Sequence, residues 1–179
     1  MKAIIVFVSL LIGNTKCFSQ VCSELKLNKL IDISSQSFSE FDDFANGNCY
    51  EFNKIKTDEF NITRRTYLYL GEIGSNPDLL VYETGSVFNK QYKGQSLRCY
   101  SDSLPFFRRF KKELKENKFI LKSERLVFNN QVLEYKSLTH TIAITINSED
   151  DVQNYKYQVY IQYNLPSQLK PKKRSPRSA

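Results

Sequence analysis

Residues 38–52, FSEFDDFANGNCYEF, change period part-way along. Phe38, Phe41 and Ala45 fall three and four residues apart, the spacing that gathers side chains on one face of a helix. Beyond Gly47 the beat shortens to two, with Tyr50 and Phe52 alternating with Glu51 and Asn53, as a strand requires. Ser37 followed three residues later by Glu40 is a capping-box pattern that starts the helix. Asn46 or Gly47 can take the left-handed conformation that closes it. The acids, amides and glycine do not make a calcium loop. With Gly47 at the sixth position, Phe44 stands at the third and Asn53 at the twelfth, where oxygen ligands and a bidentate glutamate are needed. The stretch is a joint between helix and strand, and Asp42 and Asp43 are expected on the solvated face of its helix.

Upstream, Leu25, Leu27, Leu30 and Ile31 recur at helical spacing, so two short helices are predicted over about 24–34 and 37–46. Downstream, FNITRRTYLYL (60–70), DLLVYE (78–83) and SLRCYS (96–101) read as strands, the last two separated by a polar loop containing Gly85 and Gly94. In SDSLPFFRRFKKELKENKF (101–119), Asp102 or Ser103 can cap a further helix and Pro105 suits its first turn. Leu104, Phe107, Phe110 and Leu114 form its apolar stripe. Three strands follow, over about 119–128, 131–147 and 152–164.

The two helix-to-strand joints align without gaps 69 residues apart, FSEFDDFANGNCYEF on FRRFKKELKENKFIL. Phe38 then matches Phe107, Phe41 Phe110, Ala45 Leu114, Tyr50 Phe119 and Phe52 Leu121. The expected fold is α+β, an antiparallel sheet with helices packed on one face. The joints are open to two readings, a pair of α-β-β-β repeats over about 24–101 and 102–164, or two ordinary junctions. This layout resembles that of tandem α/β inhibitor and saddle-shaped proteins such as the β-lactamase inhibitor proteins. The likeness is one of architecture, without a shared motif.

Alternation also assigns faces. In LTHTIAITIN (138–147), Leu138, His140, Ile142, Ile144 and Ile146 oppose Thr139, Thr141, Ala143 and Thr145. In YKYQVYIQY (155–163), Tyr155, Tyr157, Val159, Ile161 and Tyr163 oppose Lys156, Gln158, Tyr160 and Gln162. One sheet face should be packed and the other wet. In 60–70 the apolar set is Phe60, Ile62, Leu68 and Leu70, which puts Thr63, Arg65, Tyr67 and Tyr69 on the wet side. Arg65, Tyr67, Tyr69, Gln158 and Tyr160 are therefore the candidate binding residues, because tyrosine offers rigid amphipathic area at low entropic cost. Against this stands the plain preference of Thr and Tyr for strands.

The ends carry the charge. The formal +7 includes Lys2, Lys16, Lys170, Lys172, Lys173, Arg174 and Arg177, so residues 20–169 balance at zero. A basic isoelectric point of this origin is no argument for nucleic-acid binding. Residues 1–19 have one early lysine, an apolar run from Ala3 to Ile12 and small residues at Cys17 and Ser19, the pattern of a signal peptide cleaved near Ser19. Such a run is well short of the roughly 20 residues that span a bilayer. The expectation is an exported chain, periplasmic or extracellular, with one domain over 20–165 and a disordered basic tail over 166–179. Export favours a disulfide, for which Cys49 with Cys99 is the preferred pair, since Cys22 and Cys49 flank helical sequence. A fully reduced set is the alternative.

No catalytic or metal-binding motif is present, and the single histidine, His140, falls among isoleucines, where a backbone partner is expected to satisfy it. No cofactor or catalytic residue is assigned. The sequence points to a non-catalytic binding or inhibitor-like module acting on a protein or envelope polymer through an open sheet face. A structural or adhesion-type envelope component held by its basic tail is the alternative, and a hydrolase with scattered carboxylates a third reading.

Overall fold

A computed structural model describes residues 22–71, 74, 76–87, 92–148 and 155–164. The expected signal peptide, the tail over 166–179 and the acids Glu149, Asp150 and Asp151 lie outside the described residues. The described elements are α1 (Leu27–Ile33), α2 (Phe38–Gly47), β1 (Tyr50–Thr57), β2 (Thr63–Tyr69), β3 (Leu79–Val87), β4 (Tyr92–Ser101), α3 (Leu104–Glu116), β5 (Ile120–Val127), β6 (Asn130–Lys136), β7 (His140–Ile146) and β8 (Tyr157–Tyr163). All eight strands join one antiparallel sheet in the order β1-β2-β3-β4-β8-β7-β6-β5. The fold is α+β and mostly sheet.

Local chemistry sets the joints. Ser37 accepts from the backbone N–H of Glu40 at 3.3 Å, and the Glu40 carboxylate accepts from the N–H of Ser37 at 2.8 Å. This is the expected capping box. The left-handed residue that ends α2 is Cys49 (φ 65), not Asn46 or Gly47, because Gly47 still belongs to the helix. Asn48 completes the stop by donating its side-chain amide to the carbonyl of Phe44 at 2.7 Å. α3 closes in the same way, with Asn117 donating to the carbonyl of Glu113 at 2.8 Å and Lys118 at φ 60. At its start Ser103 is the cap, accepting from the N–H of Phe106. The β1–β2 ladder slips between Phe52 and Lys54, and the β5–β6 ladder between Leu121 and Ser123.

Several boundaries differ from the sequence expectation. The half led by α3 carries four described strands rather than three, since residues 131–147 form the hairpin β6–β7, and β3 and β4 run further than expected, with Gly85 paired to Gly94. Gly85 has φ +153, and a Cβ there would lie 2.6 Å from the carbonyl oxygen of Asn61, so only glycine lets the turn before β2 pass this close. In α3 the buried stripe is Phe106, Phe110 and Leu114, with Phe107 partly buried and Leu104 exposed.

The three helices and the inward side chains of the strands share one core. Phe41 stacks on Tyr82 at 4.5 Å between centroids, and Phe107 stacks on Tyr157 at 4.4 Å. No helix among the described residues is long and apolar enough to cross a membrane.

The cysteines correct a second expectation. Cys22 pairs with Cys49, whereas Cys99 is free and buried. α1 and α2 fold back on each other, which brings the segment before α1 to the turn after α2, while Cys99 points from β4 into the core. Burial alone pushes the Cys99 thiol well above its ordinary range. The same segment is pinned by Asn76, whose side-chain oxygen accepts from the N–H of Leu25 at 2.7 Å, and by Arg109, which donates to the carbonyl of Leu25 at 2.8 Å. Cys22→Ser, Cys49→Ser and the double variant should each lower the unfolding free energy by about 2–4 kcal/mol in urea titrations. Equal losses mark one shared crosslink; additive losses would contradict it.

Candidate binding face

Side chains alternate across a strand, so one inward residue fixes the orientation of its neighbours. In β2 that residue is Tyr67, 1% exposed, with its ring 5.1 Å from Phe41 and its hydroxyl donating to the Asp42 carboxylate. Burial, with Asp42 next in effect, pushes this phenol well above its ordinary range. Arg65 donates to the same carboxylate at 2.5 Å and lies 4.3 Å over the ring of Phe38. Tyr69 packs on Tyr50 and accepts from the amide of Asn76 at 3.0 Å. Arg65, Tyr67 and Tyr69 therefore lie under the helices, not on the wet face as expected. Asp42, expected on the solvated face of α2, keeps its side chain 36% exposed while it reaches Arg65 and Tyr67. A tyrosine buries an apolar ring while its hydroxyl finds a partner, which reverses the reading based on Leu68 and Leu70. Those two leucines are exposed instead.

Turning Tyr67 inward turns Arg64 outward. Its Nε donates to Glu83 at 2.6 Å, and a terminal amino group donates to Asp58 at 2.8 Å. Backbone hydrogen bonding from Ile62, partly opposed by burial, and the bond from Arg64 hold the Asp58 carboxyl below the usual carboxylate range. The second oxygen of Glu83 accepts from Arg98 Nε at 3.1 Å and from Ser96 Oγ at 3.0 Å. Glu83 is 6% exposed, so both guanidiniums are anchored on a carboxylate sunk into the sheet. Arg98 also lies 5.1 Å over the ring of Tyr160, its direct neighbour across the β4–β8 ladder.

Arg64, Glu83 and Arg98 border a concavity of about 500 Å³ on the face away from the helices, with Lys54, Val81 and Tyr100 also in its wall. Gln158 sits beside it, opposite Tyr100. Of the five expected residues the structure places Gln158 and Tyr160 on this face. Arg64, Glu83, Arg98, Tyr100 and Lys54 were missed, although the alternation Val81-Glu83 against Arg98-Tyr100 would find three of them, Glu83, Arg98 and Tyr100, once one inward residue is known.

The arrangement suits recognition of an anionic group. Lys54 and Arg98 supply cationic donors, and among the described residues Arg98 makes its one charge pair through Nε, which leaves its terminal amino groups for a ligand. No group of three or more His, Cys, Asp or Glu able to hold a metal ion occurs among the described residues. No family model, curated protein or solved structure matches the chain.

His140 stands apart from this face. It is 6% exposed, its Nδ1 is 2.9 Å from Thr139 Oγ1 rather than on a backbone partner, and its buried Nε2 has no partner among the described residues. Burial lowers its pKa below the ordinary 6.5. The unfolded chain thus binds the proton more readily, and His140 contributes stability above pH 6.5 that is lost as pH falls toward the depressed value. Subtracting the unfolding free energies of His140→Gln from those of the unaltered chain should give a difference that declines below pH 6.5 by at most about 1.4 kcal/mol per pH unit. A difference independent of pH would contradict the burial of a neutral ring.

Proposed function

We propose that the protein is an exported, non-catalytic binding or inhibitor-like module that captures a partner protein by its acidic side chains on the uncovered sheet face. The carrying observation is the array Arg64–Glu83–Arg98. A buried carboxylate holds two guanidiniums in place beside the tyrosines Tyr100 and Tyr160, so little side-chain freedom is lost when a ligand carboxylate arrives. The disulfide between Cys22 and Cys49 supports export, because such bonds persist in oxidising compartments.

The same reading includes a duplication, now of an α-β-β-β-β unit. It is supported by the paired stops at Asn48-Cys49 and Asn117-Lys118 and by the paired ladder slips, which all fall at the same offset as the aligned joints. The concavity, walled by β1–β4, then lies within the first of these units, with Gln158 and Tyr160 beside it across the β4–β8 join.

A ten-residue polyglutamate peptide, titrated calorimetrically, tests the charge logic. It should bind, weaken as salt is raised, and lose at least about tenfold in affinity in the double variant Arg98→Ala, Tyr160→Ala, with the thermal midpoint little changed. Unchanged affinity in the double variant, or equal binding of polylysine, would overturn the proposal.

A further inference from the structure

A second concavity lies at the far end of the sheet, where α1, the turn from α3 into β5 and the turn from β6 into β7 meet. Its volume is about 600 Å³, within the range of roughly 300–1,000 Å³ usual for small-molecule sites. Its lining divides by chemistry. Ile31, Phe119, Ile120 and Leu138 supply an apolar wall, and Lys118, Lys122 and Lys136 stand around it. Among the described residues no acid lines it, and Asp32 lies near enough to act on His140 at its edge. Lys136 is paired with Glu134 at 2.9 Å, whereas Lys118 and Lys122 make no ion pair among the described residues.

The corresponding corner of the other half shows what this position otherwise contains. Cys49, the left-handed residue at the end of α2, occupies the place that Lys118 takes at the end of α3. There the segment before α1 closes over the turn, through the Cys22–Cys49 disulfide and the hydrogen bond from Ser23 Oγ to Asn48 Oδ1 at 3.2 Å. At Lys118 no described segment does so. Leu138 is left 84% exposed and Ile120 60% exposed. Apolar surface of this extent beside unpaired cations is matched by a molecule with a hydrocarbon body and one negative end.

We infer that this pocket binds a small amphiphilic carboxylate. The hydrocarbon lies against Ile31, Phe119, Ile120 and Leu138, and the carboxylate is held by Lys118 and Lys122, with Lys136 adding to the local positive potential. The inference is independent of the acidic partner proposed for the uncovered sheet face, since the two concavities share no lining residue.

His140 lines the pocket and is the single histidine of the chain, so its ring resonances need no assignment. The protein is titrated with decanoate below its aggregation concentration and followed by NMR of the His140 ring. Acetate, which lacks the tail, and decyltrimethylammonium, which reverses the charge, serve as controls. Decanoate should shift the ring signals saturably while both controls leave them in place. Lys118→Asn with Lys122→Gln, two exposed changes of which the first keeps a residue tolerant of the left-handed conformation, should weaken decanoate at least about tenfold. Leu138→Asp should abolish saturation. The inference is overturned if decyltrimethylammonium produces the same saturable shifts, if decanoate produces none, or if the lysine variant binds decanoate unchanged.

Discussion

The carboxylate of Asp42, shared by the hydroxyl of Tyr67 and the guanidinium of Arg65, decides which way β2 faces. A buried phenol left without a partner would cost roughly 1–3 kcal/mol, so the strand settles where α2 supplies an acceptor. Because side chains alternate with period two, that choice is inherited across the sheet. Arg64 is forced to the far side, where Glu83 receives it, and Glu83 in turn fixes Arg98 against Tyr160. A slip of one residue would bring Arg64 under the helices and leave Arg98 as the one guanidinium on the buried Glu83 carboxylate.

The uncovered face is therefore a consequence of the covered one. Three helices pack on one side and share their core with the inward residues of both halves of the sheet. The other side is left with charged and aromatic residues whose positions are set by strand register rather than by loops. Groups carried on paired strands are held more closely than groups on loops, which suits a rigid recognition surface.

How much of this was legible in the sequence depends on how distinct the two sides of each element are. Ser37 with Glu40 announced α2, and isoleucines facing threonines and glutamines oriented β7 and β8, because aliphatic and polar side chains leave no second choice. In β2, Arg65, Tyr67 and Tyr69 stand opposite Arg64, Thr66 and Leu68, and either set can be buried. What settles it is Asp42, 25 residues before Tyr67, whose partnership no local pattern reveals. The turn between β6 and β7 was missed because Ser137 and Leu138 carry neither glycine nor proline. Gly85 and Gly94 misled in the opposite sense, pairing across a ladder instead of making a loop, with Gly85 serving a close backbone crossing. The disulfide was misassigned because helical sequence between two cysteines separates them only if the helices do not fold back.

The orientation of β2 can be measured directly by hydroxyl-radical footprinting of the folded protein, read tyrosine by tyrosine by mass spectrometry. Tyr100 and Tyr160, on the uncovered face, should be oxidised markedly faster than Tyr50, Tyr67 and Tyr82, which are at most 2% exposed. Oxidation of Tyr67 as fast as that of Tyr160 would contradict the account, since it would place β2 the other way round.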